Sequence, residues 1–204
     1  MDNLRRMFLS RRTFLSSVLA SCFAPVAAQA ERFNISPWEE GKVEYKFRRR
    51  EVKYETKEPA GTIVVDLRKK WLFYVLGSGK AIRYGIGIGS QYTRWSGVAT
   101  VTRVASWPTW TPTPEMLARH KHYDKWKDGM PGGPDNPLGA RAIYLLNEGG
   151  VDNSYRIHGS PWPETIGKAT TSGCFRMLNK DVVELAGKVK RGTRVVVLDG
   201  KRGS

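Results

Sequence analysis

Cysteine is nearly absent from this chain: the 204 residues hold two, Cys22 and Cys174, beside three histidines. So few thiols exclude a disulfide-stapled scaffold and a cysteine-rich zinc module, which need their sulfurs in sets. Acidic residues are also scarce, 19 Asp and Glu against 34 Lys and Arg, for a formal charge of +15. Such an excess first suggests a polyanionic partner or an anionic surface. The charge is diffuse, however. Its densest run is Lys46, Arg48, Arg49, Arg50 and Lys53, with Phe47 and Tyr54 interleaved. No helix-turn-helix, RNA-binding sheet or zinc-finger pattern surrounds it, and charge alone gives only non-specific affinity. A solvated basic face is the better reading, and no nucleic-acid partner is expected. Internal repeats and low-complexity tracts are missing too, and the length suits one domain with a sizeable core.

The amino terminus has its own logic. Ser10-Arg11-Arg12-Thr13-Phe14-Leu15 sets paired arginines before a short apolar stretch, Phe14 to Pro25, and Ala28-Gln29-Ala30 offers a small-residue cleavage site. The stretch is too short to span a bilayer and lacks the polar stripe of an amphipathic first helix. Residues 1–30 therefore read as a removable export signal of the twin-arginine kind, which places the mature chain in the periplasm. Leu19-Ala20-Ser21-Cys22 also resembles a lipoprotein processing box, and lipidation of Cys22 would instead anchor the chain to a membrane. Small and apolar residues continue past Cys22 to Ala30, which favours ordinary cleavage. Removal of residues 1–30 takes four arginines and Asp2, lowering the charge of +15 by three, to +12. It leaves Cys174 as a single thiol in an oxidising compartment, where a cysteine is either buried and inert or kept for its reactivity.

Residues 31–57 are polar, charged and aromatic without clean periodicity, and read as an arm or leading strand packed on the domain. From Gly61 the pattern turns to strands: β-branched Thr62 to Asp66, Trp71 to Leu76 after a basic turn, then a reversal at Gly77-Ser78-Gly79 into Ala81 to Ile88. An antiparallel meander follows. Gly85, Gly87 and Gly89 alternate, so one face carries bare backbone that another strand or a ligand can approach. Their spacing is not that of a dinucleotide loop, since the third glycine falls one residue early and no strand-to-helix switch follows. Residues 107–139 are irregular and rich in Trp, Pro and Gly, flanking one helical candidate at Glu115 to Arg119. Loops of that length usually form lids or binding loops. They include His120 and His122, whose spacing suits a metal but which have no acidic or cysteine partner at ligand spacing. Strands return at Ala142 to Leu146 and Ser154 to His158. Asn179 is a helix N-cap candidate ahead of the stripe Val182, Val183, Leu185, Ala186 and Val189, and Arg194 to Leu198 forms a closing strand. The expected fold is mainly β, a sandwich or barrel-like mixed sheet with one principal helix and long loops.

Two segments carry chemistry, Arg156-Ile157-His158-Gly159-Ser160 and Thr171-Ser172-Gly173-Cys174-Phe175-Arg176-Met177. A thiol attacks a carbonyl as thiolate, and an imidazole can take its proton and return one to the leaving amine. Amides of the flexible Ser172, Gly173 and Cys174 turn can face a tetrahedral oxyanion. The imidazole needs an orienting partner, most simply the backbone carbonyl of Gly159. By residue type alone, Cys174 reads as readily as a small buried hydrophobe and His158 as a satisfied core histidine.

The combination is more specific. His158-Gly159, a short loop, Ser/Thr-x-Gly-Cys-x-Arg and a following Asn-x-Asp resemble the active-site signature of the L,D-transpeptidase catalytic domain, also called the YkuD domain. Gly61 to Asp66, Tyr84 to Gly89, Trp95-Ser96-Gly97, Trp107 to Met116, Gly129 to Ala140 and Ile166-Gly167 resemble the same family, so the likeness runs over residues 58–199, leaving 200–204 as a tail. The resemblance implies a cysteine acyltransferase without a cofactor. It would cleave between meso-diaminopimelate and D-alanine in a peptidoglycan stem tetrapeptide and pass the acyl group to an amine. The acceptor could be another stem, a wall-anchored lipoprotein or a free D-amino acid. Carried across residue by residue, it makes Cys174 the nucleophile and His158 the base and acid. Ser172, Gly173 and Cys174 supply the oxyanion amides. Arg176 either binds a substrate carboxylate or holds the cysteine turn, and Trp110 and Ser160 are candidate substrate-binding residues. Many members have histidine before the Gly-Cys pair where Ser172 stands here, so a second imidazole is absent. The rival readings are a carboxypeptidase or endopeptidase-type hydrolase on the same scaffold, and a non-catalytic wall-binding protein.

Overall fold

The computed structural model describes residues 34–90, 95–149, 155–171 and 173–199. The expected leader with Arg11, Arg12 and Cys22, the expected tail 200–204 and Ser172 lie outside the described residues. Thirteen elements follow in order: β1 (Arg50–Lys53), β2 (Ile63–Asp66), β3 (Trp71–Gly77), β4 (Lys80–Gly85), β5 (Ile88–Gly89), β6 (Gly97–Ser106), α1 (Pro114–Arg119), β7 (Arg141–Asn147), β8 (Arg156–His158), β9 (Ala169–Thr171), β10 (Phe175–Arg176), α2 (Asn179–Ala186) and β11 (Arg194–Leu198).

The β-branched run of β2 pairs antiparallel with β3, which turns through Gly77–Gly79 into β4, and this is the meander the alternation predicts. The chain's last strand, β11, enters the middle of the sheet, parallel to β2 and antiparallel to β6. The result is one nine-stranded mixed sheet of order β1-β4-β3-β2-β11-β6-β7-β8-β10, with β5 and β9 forming a separate parallel pair. One face holds the main core, including Ile63, Leu72, Tyr84, Ile143, Ile157, Phe175 and Met177, onto which α2 lays Val182 and Leu185. Val64, Phe73, Val75 and Ala81 on the other face are covered by Val52 and Tyr54. Burial on both faces explains why β2 reads as a continuous apolar run instead of an alternating one.

The arm before β1 is docked by its own apolar residues. Val43 and Phe47 are buried with Ile166 and Leu178. A Cβ on Gly85 would stand 2.3 Å from the Phe47 carbonyl oxygen, so the bare face read in the sequence is the arm's seat. The long loop is also a folded object. Thr113 Oγ1 accepts from Met116 N and caps α1. Buried Asn136 donates to the carbonyls of Pro108, Met130 and Pro131, tying both limbs of the loop together.

Two expectations are corrected. Asn179 is the first helical residue of α2 and not its cap; the capping position falls to Leu178, and the Asn179 side chain turns away to other partners. Strand β6, ten residues long, was not read from sequence because a register shift between Val101 and Arg103 breaks its alternation.

Candidate active site

The two chemical segments meet as neighbouring strands. β10 runs parallel to β8 with Phe175 opposite Ile157 and Arg176 opposite His158. Side chains alternate across a strand, so His158, Arg156 and Arg176 share one face while Ile157 and Phe175 enter the core. Cys174, one residue before β10, falls on the same face by the same alternation, diagonal to His158. Strands brought together from distant sequence thus place thiol, imidazole and two guanidinium groups in one cluster.

His158 is 4% exposed, and its Nδ1 lies 2.6 Å from the Gly159 carbonyl oxygen. A carbonyl only accepts, so Nδ1 carries the proton and the Nε2 lone pair is left to act as base. Burial, then the charge of Arg176, hold the imidazole down to about 4, against the opposing Gly159 bond. The resting ring is therefore neutral at pH 7. Burial pushes the Cys174 thiol up, while hydrogen bonds from the backbone and side chain of Arg156, and the charges of Arg156 and Arg176, pull it down. The pair rests as thiol and neutral imidazole, with cations placed to stabilise a thiolate when it forms.

The cysteine turn closes on itself. Thr171 Oγ1 donates to the Cys174 carbonyl at 2.8 Å and accepts from Gly173 N at 3.3 Å. Gly173 holds φ +135°, a conformation that favours glycine. Of the three expected oxyanion amides, that of Gly173 is thus turned to Thr171, and Ser172 lies outside the described residues. Arg176 Nη1 donates to Thr165 Oγ1 at 3.0 Å, and its guanidinium lies 5.2 Å from the centre of the Trp162 ring. Burial lowers its pKa, which marks a desolvated cation suited to a carboxylate.

Two expected substrate-binding residues take packing roles. Trp110 is 9% exposed, bridges to Met130 and sets its ring edge against Tyr123 at 5.3 Å, bracing the loop. Ser160 is buried, its hydroxyl accepting from Trp162 N and its carbonyl from Asn179 Nδ2. Trp162, 39% exposed, stands beside Arg176. His120 and His122 lie 5.8 and 4.0 Å from the Tyr123 ring. Among the described residues no group of three or more His, Cys, Asp or Glu could hold a metal ion. A groove of about 240 Å³ beside the arm is lined by Ser36, Trp38, Lys42, Trp107, Asp135 and Pro163, but neither Cys174 nor His158 reaches it. Sequence reasoning gave Trp162 no place in the site, and it held Arg156, Thr171 and Asn179 only as members of the two segments and the Asn-x-Asp pattern, without a role for each.

The site thus joins a thiol, a neutral imidazole tied by its Nδ1 and a buried arginine on a mixed sheet. Residues 60–197 match the family model described as the L,D-transpeptidase catalytic domain, YkuD. The chain belongs to that family. It is 35% identical over 141 residues to a protein of Escherichia coli strain K12 named "Probable L,D-transpeptidase ErfK/SrfK", covering 67% of this chain and 44% of that protein. It thus spans less than half the length of that relative. A crystal structure from Brucella melitensis, described as a probable carnitine operon oxidoreductase, is 45% identical, with a TM-score of 0.53 and coverage of 79% of this chain and 99% of that one. The carbamoyl enzyme formed by Ldtfm with avibactam shares the fold, at 23% identity and a TM-score of 0.52 over 71% of this chain and 51% of that one.

Proposed function

We propose that the chain is an exported cysteine acyltransferase acting on peptidoglycan tetrapeptide stems. The observation that carries this reading is the Cys174 thiol set between Arg156 and Arg176 on the face it shares with His158, whose ring is tied to Gly159. Family membership supplies the substrate class. An oxidoreductase role finds no support in the glycine pattern. A dinucleotide pyrophosphate needs a glycine turn that opens a helix, whereas Gly85 to Gly89 join β4 to β5 and face Phe47 and Thr165.

In the proposed reaction, His158 Nε2 takes the thiol proton as Sγ attacks the carbonyl carbon between diaminopimelate and D-alanine. The Arg156 and Arg176 charges stabilise the thiolate, and the Cys174 amide meets the oxyanion. Nε2 returns the proton to the leaving nitrogen, D-alanine departs and a thioester remains. An acceptor amine then attacks the thioester, giving its proton to Nε2, and the thiolate leaves and is reprotonated. The hydrogen bonds that hold the thiol to Arg156 give way to one with His158 when substrate fills the site, since catalytic contacts tighten in the bound complex. Arg176 receives a stem carboxylate. The braced 107–139 loop excludes water, which favours transfer over hydrolysis. Export rests on the paired arginines and the Ala28-Gln29-Ala30 site; lipidation of Cys22 would make the protein membrane-anchored instead.

Product analysis tests this directly. With purified tetrapeptide stems the enzyme should release D-alanine and form dimers linked between diaminopimelate residues, or exchange the terminal residue when a free D-amino acid is supplied. Tripeptide as sole product at every acceptor concentration would make it a hydrolase.

A further inference from the structure

Asn179 is 5% exposed, and both its amide oxygen and its amide nitrogen are hydrogen-bonded. Oδ1 accepts from Ala140 N at 2.8 Å, and Nδ2 donates to the Ser160 carbonyl at 2.9 Å and to Glu39 Oε1 at 2.8 Å. Its backbone N–H donates to Glu39 Oε2 at 3.0 Å, so both oxygens of one carboxylate hold one asparagine. The amide is also wedged. A Cβ on either Gly139 or Gly159 would stand 2.2 Å from Asn179 Oδ1. These glycines lie on the two backbone segments that frame His158, and Gly159 supplies the carbonyl that binds Nδ1. Swinging the peptide between Gly159 and Ser160 would take that acceptor off the ring, and Asn179 holds it through the next carbonyl. Fixing the imidazole's tautomer in this way sets which nitrogen faces the thiol.

Glu39 belongs to the arm, outside the residues 60–197 that the family model matches. We propose that Glu39 is a positioning residue for His158, acting through Asn179, so that the N-terminal arm completes the catalytic site. The inference rests on the reading of Cys174 and His158 as the acyl-transfer pair. Three links join the arm to α2: Glu39 to Asn179, Glu40 to Lys180 and Arg49 to Glu184. Only the first touches the peptides around His158. The arm also keeps its buried Val43 and Phe47. Loss of one link therefore leaves it docked, and Glu40→Ala is the matched control for Glu39→Ala.

The test pairs two readouts on the full mature chain. Imidazole 15N NMR reports the tautomer of His158, and steady-state D-alanine release gives kcat and KM. Glu39→Ala should turn a single Nδ1–H tautomer into a mixture and lower kcat about tenfold, with KM within about twofold. Glu40→Ala should change neither. Glu39→Gln, which keeps one acceptor oxygen, should fall between wild type and Glu39→Ala, and it serves as the informative variant if the alanine form does not fold. An unchanged tautomer with kcat within about twofold in both Glu39 variants would overturn the proposal, as would equal effects from Glu40→Ala. The NMR arm is independent of turnover. Should Cys174 prove not to be a nucleophile, the tautomer result still decides the positioning role.

Discussion

His158 and Cys174 each hold the protonation state that burial dictates, and the surrounding charges prepare the change. Because burial and Arg176 hold the imidazole at about 4, the proposed base stays neutral well below the ordinary histidine range. The sign follows directly. Protonation removes the base, so activity is present above the folded-state value and lost as pH falls through it. The kcat/KM profile should stay level from pH 7 down to about 5 and fall with an apparent pKa near 4. An acid limb centred near the ordinary histidine value of 6.5 would show that the ring is solvated or that another group is the base. That these two residues form one cluster could be anticipated from the sequence because each stands in a local motif whose residue types suggest a proposed thiol and base. Asn179 was legible as a cap candidate and as the first residue of the Asn-x-Asp pattern, without the contacts it makes. Its partner Glu39 stands 140 residues away, and no local pattern reports a contact across that separation.

At the scale of elements, the cysteine turn depends on a hydroxyl. Thr171 ends β9 and ties both Gly173 and Cys174, which fixes the approach of the thiol to the strand face. Thr171→Val keeps shape and β-branching while deleting both bonds. Unfolding by denaturant should show a loss of about 1 kcal/mol, and kcat should fall by about tenfold with the orientation of the turn. Wild-type kcat in a folded Thr171→Val protein would show that the turn holds without the hydroxyl. The meander β2-β3-β4 and helix α2 were readable because each is long enough for its period to show. Strand β8 lies within the strand read at Ser154 to His158, but β9 and β10 have three and two residues, too few for any period, and the parallel pairing of β8 with β10 that assembles the site is a tertiary fact. Strand β6 was hidden by its bulge, and the bracing of the loop by Trp110 was not legible because an aromatic residue in a long loop reads alike whether it braces the loop or lines a cleft.

For the whole molecule, the site and the arm share a charge network whose cost appears in stability. Asp181, in the first turn of α2, is 3% exposed among Glu40, Lys180, Arg49 and Glu184. A helix N-terminus favours a carboxylate, but burial is the larger effect and raises Asp181 from 3.8 to about 7. With the folded value raised, the unfolded chain ionises first, so this residue's contribution is fully present below 3.8 and is lost as pH rises towards about 7. His158 acts in the opposite sense, losing stability as pH falls from 6.5 to about 4. Asp181→Asn removes the first limb alone. Its stability relative to wild type, from urea unfolding, should rise from near zero at pH 4 to roughly 4 kcal/mol above pH 7. Parallel curves for the two proteins would mean that Asp181 ionises freely in the fold.

The central claim is that Cys174 forms a covalent acyl-enzyme, and intact-mass spectrometry of the mature chain mixed briefly with a tetrapeptide stem tests it most directly. Wild type should gain the mass of the stem minus D-alanine, on a peptide containing Cys174. Cys174→Ser should fold and gain none, because a hydroxyl without strong activation is a far poorer nucleophile. D-Alanine release by Cys174→Ser at the wild-type rate, or an adduct on any other residue, would contradict the account.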